Sequence, residues 1–188
     1  MAWQSPLPLS HLNPLNSSGP TTVTGQRSLA PMEKSPSFTQ LKKLEYIWIS
    51  GSNLNGEIPD TIGEMEALVH LDLSKNNLTG KIPSNLFMPK NLSIVYLFRN
   101  QLSGEIPRVV EALKINVIDL SDNKLTGTIT DDFGRLRKMT GLSLFFDQLS
   151  GKIPDSIGRL PSLVILKKCL ATIYQGICCR NLGGILYL

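Results

Sequence analysis

The sequence predicts an α/β-type solenoid with a curved parallel β-sheet on its concave face and short helical, 3-10 or extended segments on its convex face. An apolar pair recurs at steps of 24, 24, 23 and 24 residues. Behind each pair follow, in fixed order, a polar residue, a leucine, a glycine, an isoleucine and, in most repeats, a proline. One such unit cannot bury its own apolar side chains, so the units must stack. The pairs are Ile47/Ile49, Leu71/Leu73, Val95/Leu97, Ile118/Leu120 and Leu142/Leu144.

Each recurring position has a physical role. Alternation, as in Leu71-Asp72-Leu73, predicts a short strand with both leucines on one face and the aspartate on the other. The polar residue three positions after the pair is asparagine in three repeats. Its amide donates and accepts at once, so it can satisfy backbone groups where the chain leaves the sheet. We predict a structural ladder of Asn76, Asn100 and Asn123, with Ser52 and Asp147 at the same position in the outer repeats.

The repeats divide the chain into three parts. Residues 1–37 hold six of the twelve prolines and are predicted to be a disordered Pro/Ser-rich leader. Residues 38–166 form the solenoid, with five full repeats and partial ends. Residues 167–188 are an atypical apolar tail whose three cysteines match neither a zinc site nor a disulfide framework. Neither end has the unbroken apolar run of a signal peptide or membrane helix.

Charge and motifs argue against several functions. From Leu41 to Leu166 there are 14 basic and 14 acidic residues. The solenoid therefore lacks the excess positive charge that nucleic-acid binding requires. Asp132-Phe133-Gly134 resembles a kinase metal-binding triplet, but the repeat accounts for it, and the phosphate loop and catalytic loop are missing. His11 and His70 lie far apart without neighbouring ligands. We therefore predict no enzyme, no metal and no cofactor.

Side chains that alternate outward from the strands form the predicted concave face, and binding is expected there. Phe98 and Phe145 lie on alternate strands, about 9.5 Å apart, with Ser121 between them. This spacing predicts a slot for one flat side chain such as a proline or hydroxyproline ring. The alternative is that these aromatic residues only pack against each other or against glycan. The candidate ligand-binding residues are Trp48, Asp72, Tyr96, Phe98, Arg99, Asp119, Ser121, Asp122 and Phe145.

The spacing in LDLSKNNLTGKIP and YLFRNQLSGEIP resembles plant-specific leucine-rich repeats. TIGEMEALVHLDLSKNNLTGKIPSNLFMPKNLSIVYLFRNQLSGEIPRVVEAL further resembles the ectodomains of HAESA-like receptor-like protein kinases. The resemblance covers Phe38 to Leu166 and implies a piece of an extracellular domain on the plasma membrane. It also implies a secreted, hydroxyproline-containing peptide as ligand, and a co-receptor kinase as partner. Full-length receptors have a signal peptide, a membrane helix and a kinase domain, which this chain does not show.

Two further functions remain open beside peptide recognition in cell-surface signalling. The chain can be an inhibitor or decoy that binds another protein, such as a wall hydrolase or a co-receptor, or a truncated product without function. Asn77 and Asn91 stand in glycosylation sequons and agree with a secreted glycoprotein.

Overall fold

A computed structural model describes residues 22–24 and 42–168, and its strands lie parallel in every sheet. Within these residues one main sheet has the strand order β1-β2-β4-β6-β8-β10-β11, and two small sheets pair β3 with β5 and β7 with β9. The strands are β1 Thr22–Thr24, β2 Tyr46–Trp48, β3 Asn55–Glu57, β4 His70–Asp72, β5 Asn77–Thr79, β6 Ile94–Tyr96, β7 Ser103–Glu105, β8 Val117–Asp119, β9 Lys124–Thr126, β10 Gly141–Leu144 and β11 Ile165–Lys168.

The repeated apolar residues form one continuous core. In the main sheet Ile47 aligns with Leu71, then with Val95, Ile118 and Leu142 on successive strands. These side chains and the leucines that follow them belong to a single buried cluster. Each repeat therefore covers the apolar face of the next, which confirms the predicted solenoid and its parallel sheet.

The asparagine side chains join neighbouring repeats behind the main sheet. Asn100 accepts a hydrogen bond at Oδ1 from Leu78 N (3.0 Å), and its Nδ2 donates to the carbonyls of Leu73 and Leu97 (3.0 Å each). Asn76 and Asn123 make the corresponding bonds one repeat earlier and one repeat later. All three amides are buried. Because water cannot reach the backbone groups of these turns, the asparagine side chains provide their hydrogen-bond partners.

The opposite, convex side is built from short helical and extended segments. Two 3-10 helices span Asp60–Glu64 and Asp131–Arg135, and one α-helical turn spans Asp155–Gly158. Phe133, within the kinase-like triplet, is fully buried and meets Phe87 edge-on at 5.6 Å between ring centroids. A Cβ at the neighbouring Gly134 would overlap the Ser156 side chain. Packing between repeats thus explains the Phe-Gly pair.

The main sheet extends beyond the predicted solenoid at both ends. Thr22–Thr24 pairs with β2, so these three residues of the predicted disordered leader form a strand. Their Thr-Val-Thr sequence is β-branched throughout, which favours addition to an open sheet edge. At the other end β11 continues to Lys168, two residues into the predicted tail. The predictions for the rest of the leader, including His11, and for the cysteine-bearing tail lie outside the described residues.

Candidate functional site

Three columns of side chains project from the concave face of the main sheet. One column contains Tyr46 and His70, the second contains Trp48, Asp72, Tyr96 and Asp119, and the third contains Phe98, Ser121 and Phe145. The strand register places members of a column on neighbouring strands, about 4.8 Å apart. The predicted ligand-binding residues therefore line one face, with Arg99 and Asp122 at its edge.

The first half of this face is an aromatic cluster, defined here as Tyr46, Trp48, His70, Tyr96 and Phe98. The His70 ring stacks on Trp48 at 5.6 Å and meets Tyr96 edge-on at 5.7 Å and Tyr46 at 6.4 Å. Tyr96 contacts Phe98 in turn at 6.1 Å. Trp48 is 53% exposed, so a large apolar surface faces water although a well-packed core lies directly beneath it.

Two members of the cluster, Tyr46 and His70, are not among the predicted ligand-binding residues. The signal was available, because each stands two residues before a predicted concave residue and so shares its face. Buried Nε2 of His70 has no hydrogen-bond partner among the described residues. Packing against the rings of neighbouring strands determines the place of this side chain in the cluster.

Two aspartates of the second column are tied to serines of the third. Asp72 Oδ1 accepts hydrogen bonds from the backbone N–H and the hydroxyl of Ser74 (2.9 and 2.6 Å). Asp119 Oδ1 accepts the same pair from Ser121 (3.0 and 2.5 Å). Asp72 is only 7% exposed and Ser121 only 2%. This differs from the expectation that both face water, because the aspartate–serine pairs satisfy each other beneath the aromatic rings.

Phe98 and Phe145 flank Ser121 across two strand spacings. Backbone hydrogen bonds run from Arg99 N to Ser121 O (3.0 Å) and from Asp122 N to Phe145 O (2.8 Å). They keep these segments of three successive repeats in register beyond the strand ends. Both rings are half-buried. The serine hydroxyl between them is buried and donates to Asp119, so it closes the floor of this gap.

Cations and a further ring border the two phenylalanines. Lys75 Nζ lies 5.8 Å from the Phe98 ring centroid, and Lys167 Nζ lies 6.0 Å from that of Phe145. Phe146, which is 54% exposed, meets Phe145 at 5.1 Å. Phe146 was also not among the candidate residues. These neighbours make the gap an amphipathic strip with aromatic faces and positive charge at its rim.

The residues just after this strip have left-handed backbone. Arg99 and Asp122 have φ of 56° and 58°. Their side chains form an ion pair with Nε and Oδ2 3.5 Å apart, and both are more than half exposed. A ligand carboxylate or hydroxyl near Asp122 must therefore share its partner Arg99.

Burial lowers the pKa of His70, and the nearby Asp72 carboxylate partly offsets this effect. Burial also raises the pKa of Tyr96, and the Asp119 and Asp72 carboxylates raise it further. Both rings are consequently neutral at pH 7. The cluster presents uncharged aromatic surface, flanked by carboxylates that are already hydrogen-bonded.

The part of the chain that the structure describes also bears on metal sites, membrane spans and glycosylation sequons. It holds no group of histidine, cysteine or acidic side chains arranged for a metal ion, and no helix there has the length and hydropathy to cross a membrane. Of the sequon asparagines, Asn77 donates to Asn53 Oδ1 (2.6 Å) and Asn91 donates to Glu66 O (3.2 Å). Both are exposed.

Comparison with known proteins agrees with this architecture. The family model described as Leucine Rich Repeat matches residues 43–65, 67–88 and 114–136. The chain folds as a leucine-rich repeat solenoid. None of the curated proteins compared with it matches.

Solved structures similar to this solenoid are ectodomains of plant receptor kinases. The ectodomain of GASSHO1/SCHENGEN3 from Arabidopsis thaliana, in complex with CASPARIAN STRIP INTEGRITY FACTOR 2, is 33% identical with a TM-score of 0.66 over 68% of this chain and 16% of its own. Arabidopsis HAESA, in complex with the peptide hormone IDA and the co-receptor SERK1, is 35% identical with a TM-score of 0.63 over 66% of this chain and 21% of its own. The SOBIR1 ectodomain from Arabidopsis thaliana is 31% identical with a TM-score of 0.58, over 64% and 65%.

The solenoid thus spans only about a fifth of the first two ectodomains. It has the repeat architecture of plant receptor kinase ectodomains, and these include receptors solved with peptide ligands and with a co-receptor. Several receptors match at similar identity, so the similarity extends across the class of ectodomains.

Proposed function

We propose that this leucine-rich repeat solenoid recognises an extended, proline- or hydroxyproline-containing peptide along its concave face. It would act as a segment of a plant receptor kinase ectodomain of the HAESA-like kind. The observation that carries the proposal is the row of exposed and half-buried aromatic rings from Trp48 to Phe145 on a parallel sheet. Rings that face water between core-forming strands weaken solubility without adding to the core, so ligand binding is the function that explains them best.

The chemistry of the face suits such a ligand. A proline ring is flat and apolar and fits beside aromatic faces, and an extended peptide follows successive strands. The exposed Arg99–Asp122 ion pair offers polar partners to a ring hydroxyl. The proposed ligand-binding set is Trp48, Tyr96, Phe98, Arg99, Asp119, Ser121, Asp122 and Phe145, joined by Tyr46 and His70, with Asp72 beneath them.

The similar ectodomains support the kind of partner. HAESA was solved with the peptide hormone IDA and the co-receptor SERK1, and GASSHO1/SCHENGEN3 with CASPARIAN STRIP INTEGRITY FACTOR 2. By analogy the natural setting would be the extracellular side of the plasma membrane, with a co-receptor kinase as second partner. The chain would bind without catalysis, and Asn77 and Asn91 would carry glycans.

Calorimetry with a library of synthetic peptides of about seven residues, each with one proline or hydroxyproline, tests the proposal. Phe98→Ala and Phe145→Ala should each weaken the best binder by about 1 to 3 kcal/mol. Leu113→Ala is the matched control, because Leu113 is an exposed apolar residue outside the concave face. Equal affinities of all three variants and the parent would exclude the concave face as the peptide site.

A further inference from the structure

We propose a second ligand site that binds an acidic oligosaccharide, a chain of uronic acid residues, at the edge where the chain enters the main-sheet strands. A groove of about 550 Å³ runs there across successive repeats. It presents amides, hydroxyls and two ammonium groups, with one aliphatic residue and no aromatic ring. Its lining is Val69, Asn91, Ser93, Lys114, Asn116, Lys138, Thr140 and Ser162.

The floor of the groove is a backbone ladder. Ser93 N donates to Val69 O, Asn116 N to Ser93 O, and Thr140 N to Asn116 O, each at 2.8 Å. Side chains on this ladder stack about 4.8 Å apart. Because these backbone groups already bond each other, a peptide strand could not add to them as it does at an open sheet edge. Apart from Val69, a ligand in the groove meets only polar side chains.

Polar side chains of the lining form two hydrogen-bonded pairs, and donors remain available for a ligand. Lys114 Nζ donates to Asn91 Oδ1 at 2.8 Å, and the Thr140 hydroxyl donates to Asn116 Oδ1 at 2.5 Å. An ammonium group has three donors, so Lys114 retains two for a ligand. Lys138 lines the next repeat and makes no ion pair among residues 42–168. Two ammonium groups in adjacent repeats can thus each meet a carboxylate.

The charge of this edge is segregated from the rest of the solenoid. The two residues that precede the buried residue before each strand are basic six times in five repeats, and only Glu66 among them is acidic. Leu41 to Leu166 as a whole has no net charge, so the excess here is balanced on other faces. The six basic residues are Lys42, Lys43, Lys90, Lys114, Arg137 and Lys138.

These observations favour an acidic sugar over an acidic peptide. Carboxylates match the ammonium groups, and a hydroxyl-rich ligand matches the amides and hydroxyls of Asn116, Thr140 and Ser162. A peptide would bring apolar side chains that only Val69 could cover. A glycan on Asn91 would occupy the same groove, so that modification and ligand binding would exclude each other.

Calorimetry on the full chain from a bacterial host, in which Asn91 is unmodified, tests the site. The probes are a short oligogalacturonate, a neutral oligogalactose of equal length and an oligoglutamate. We expect binding of the oligogalacturonate alone, weakened by added salt. The double variant Lys114→Gln/Lys138→Gln should bind it about a hundredfold or more weakly, since each of the two lost charged hydrogen bonds is worth about tenfold or more.

The matched control is Lys81→Gln/Lys152→Gln, which removes the same charge from exposed lysines outside the groove. This control should keep the parent affinity, and so should Phe98→Ala, which reports on the concave face alone. Absence of oligogalacturonate binding, equal binding of the oligoglutamate or the neutral sugar, or equal loss in both double variants would overturn the proposal.

Discussion

The Asp147 carboxylate should lower the free energy of unfolding of the solenoid at neutral pH, and the substitution Asp147→Asn should restore it. Asp147 occupies the asparagine position of the ladder, where Oδ1 accepts from Leu125 N at 3.1 Å. Its other oxygen, Oδ2, is buried and has no hydrogen-bond partner within residues 42–168. By analogy with Asn123, whose amide donates to Leu97 O and Leu120 O, we expect Oδ2 to face carbonyl oxygens rather than donors. A proton on Oδ2 turns it into the donor that this place requires.

The pKa of Asp147 is raised from its ordinary 3.8 to about 7, mainly by burial and in smaller part by the carboxylates of Asp122 and Asp119. Backbone hydrogen bonds in the same turn oppose the rise. The folded state then binds more protons than the unfolded state between these two values. Stability that is present below about pH 4 is therefore lost as pH rises to about 7, at about 1.4 kcal/mol per pH unit. The loss reaches about 4 kcal/mol above pH 7.

Urea unfolding of parent and Asp147→Asn between pH 4 and pH 8 measures this difference. The variant should be more stable by about 4 kcal/mol at pH 8, and the two should converge near pH 4. The reciprocal variant Asn123→Asp should instead lose stability as pH rises, because it places a second carboxylate among the ladder carbonyls. A difference between parent and Asp147→Asn that stays constant with pH would refute the reasoning.

Three further variants test how the repeats pack. Asn100→Ala should lower the free energy of unfolding by about 2 to 4 kcal/mol in urea, because Leu78 N and two carbonyls lose their buried partner; Asn77→Ala, with an exposed amide, is the control. Gly134→Ala should cost about 1 to 3 kcal/mol, since its Cβ would meet Ser156, and an unchanged melting temperature would contradict that contact. Phe133→Ala should cost about 3 to 5 kcal/mol in thermal unfolding, whereas a kinase-like role for the triplet would leave stability unaffected.

The periodicity of the sequence was enough to predict the fold. A spacing of 23 or 24 residues with an alternating apolar pair allows only stacked parallel strands, and Leu71 and Ile118 lie where this rule places them. The sheet ends were harder to predict. Thr22–Thr24 has no repeat around it, and its pairing with β2 depends on an open edge, which is a tertiary feature.

The candidate site was predictable only in part. Alternation indicates which side chains leave the core, so it located Trp48 and Phe98 on the concave face. It does not indicate how far neighbours cover a side chain. Asp72 bonds to Ser74 within its own repeat, but its burial also depends on Trp48 and Tyr96, its partners on the two neighbouring strands. The same limit hid His70, whose role depends on rings that lie 22 and 26 residues away in the sequence.

The asparagine bonds give the solenoid a direction. Leu54 N donates to Asn76 Oδ1, and Leu78 N donates to Asn100 Oδ1. In both cases the acceptor belongs to the coil that follows in the sequence. During synthesis from the amino end, the most recently emerged coil therefore lacks the native hydrogen-bond acceptor for one backbone N–H. The acceptor arrives only when the asparagine of the next coil, 22 residues later, has emerged. Growth of the native structure should accordingly advance in steps, each delayed by one coil behind the chain that has left the exit tunnel.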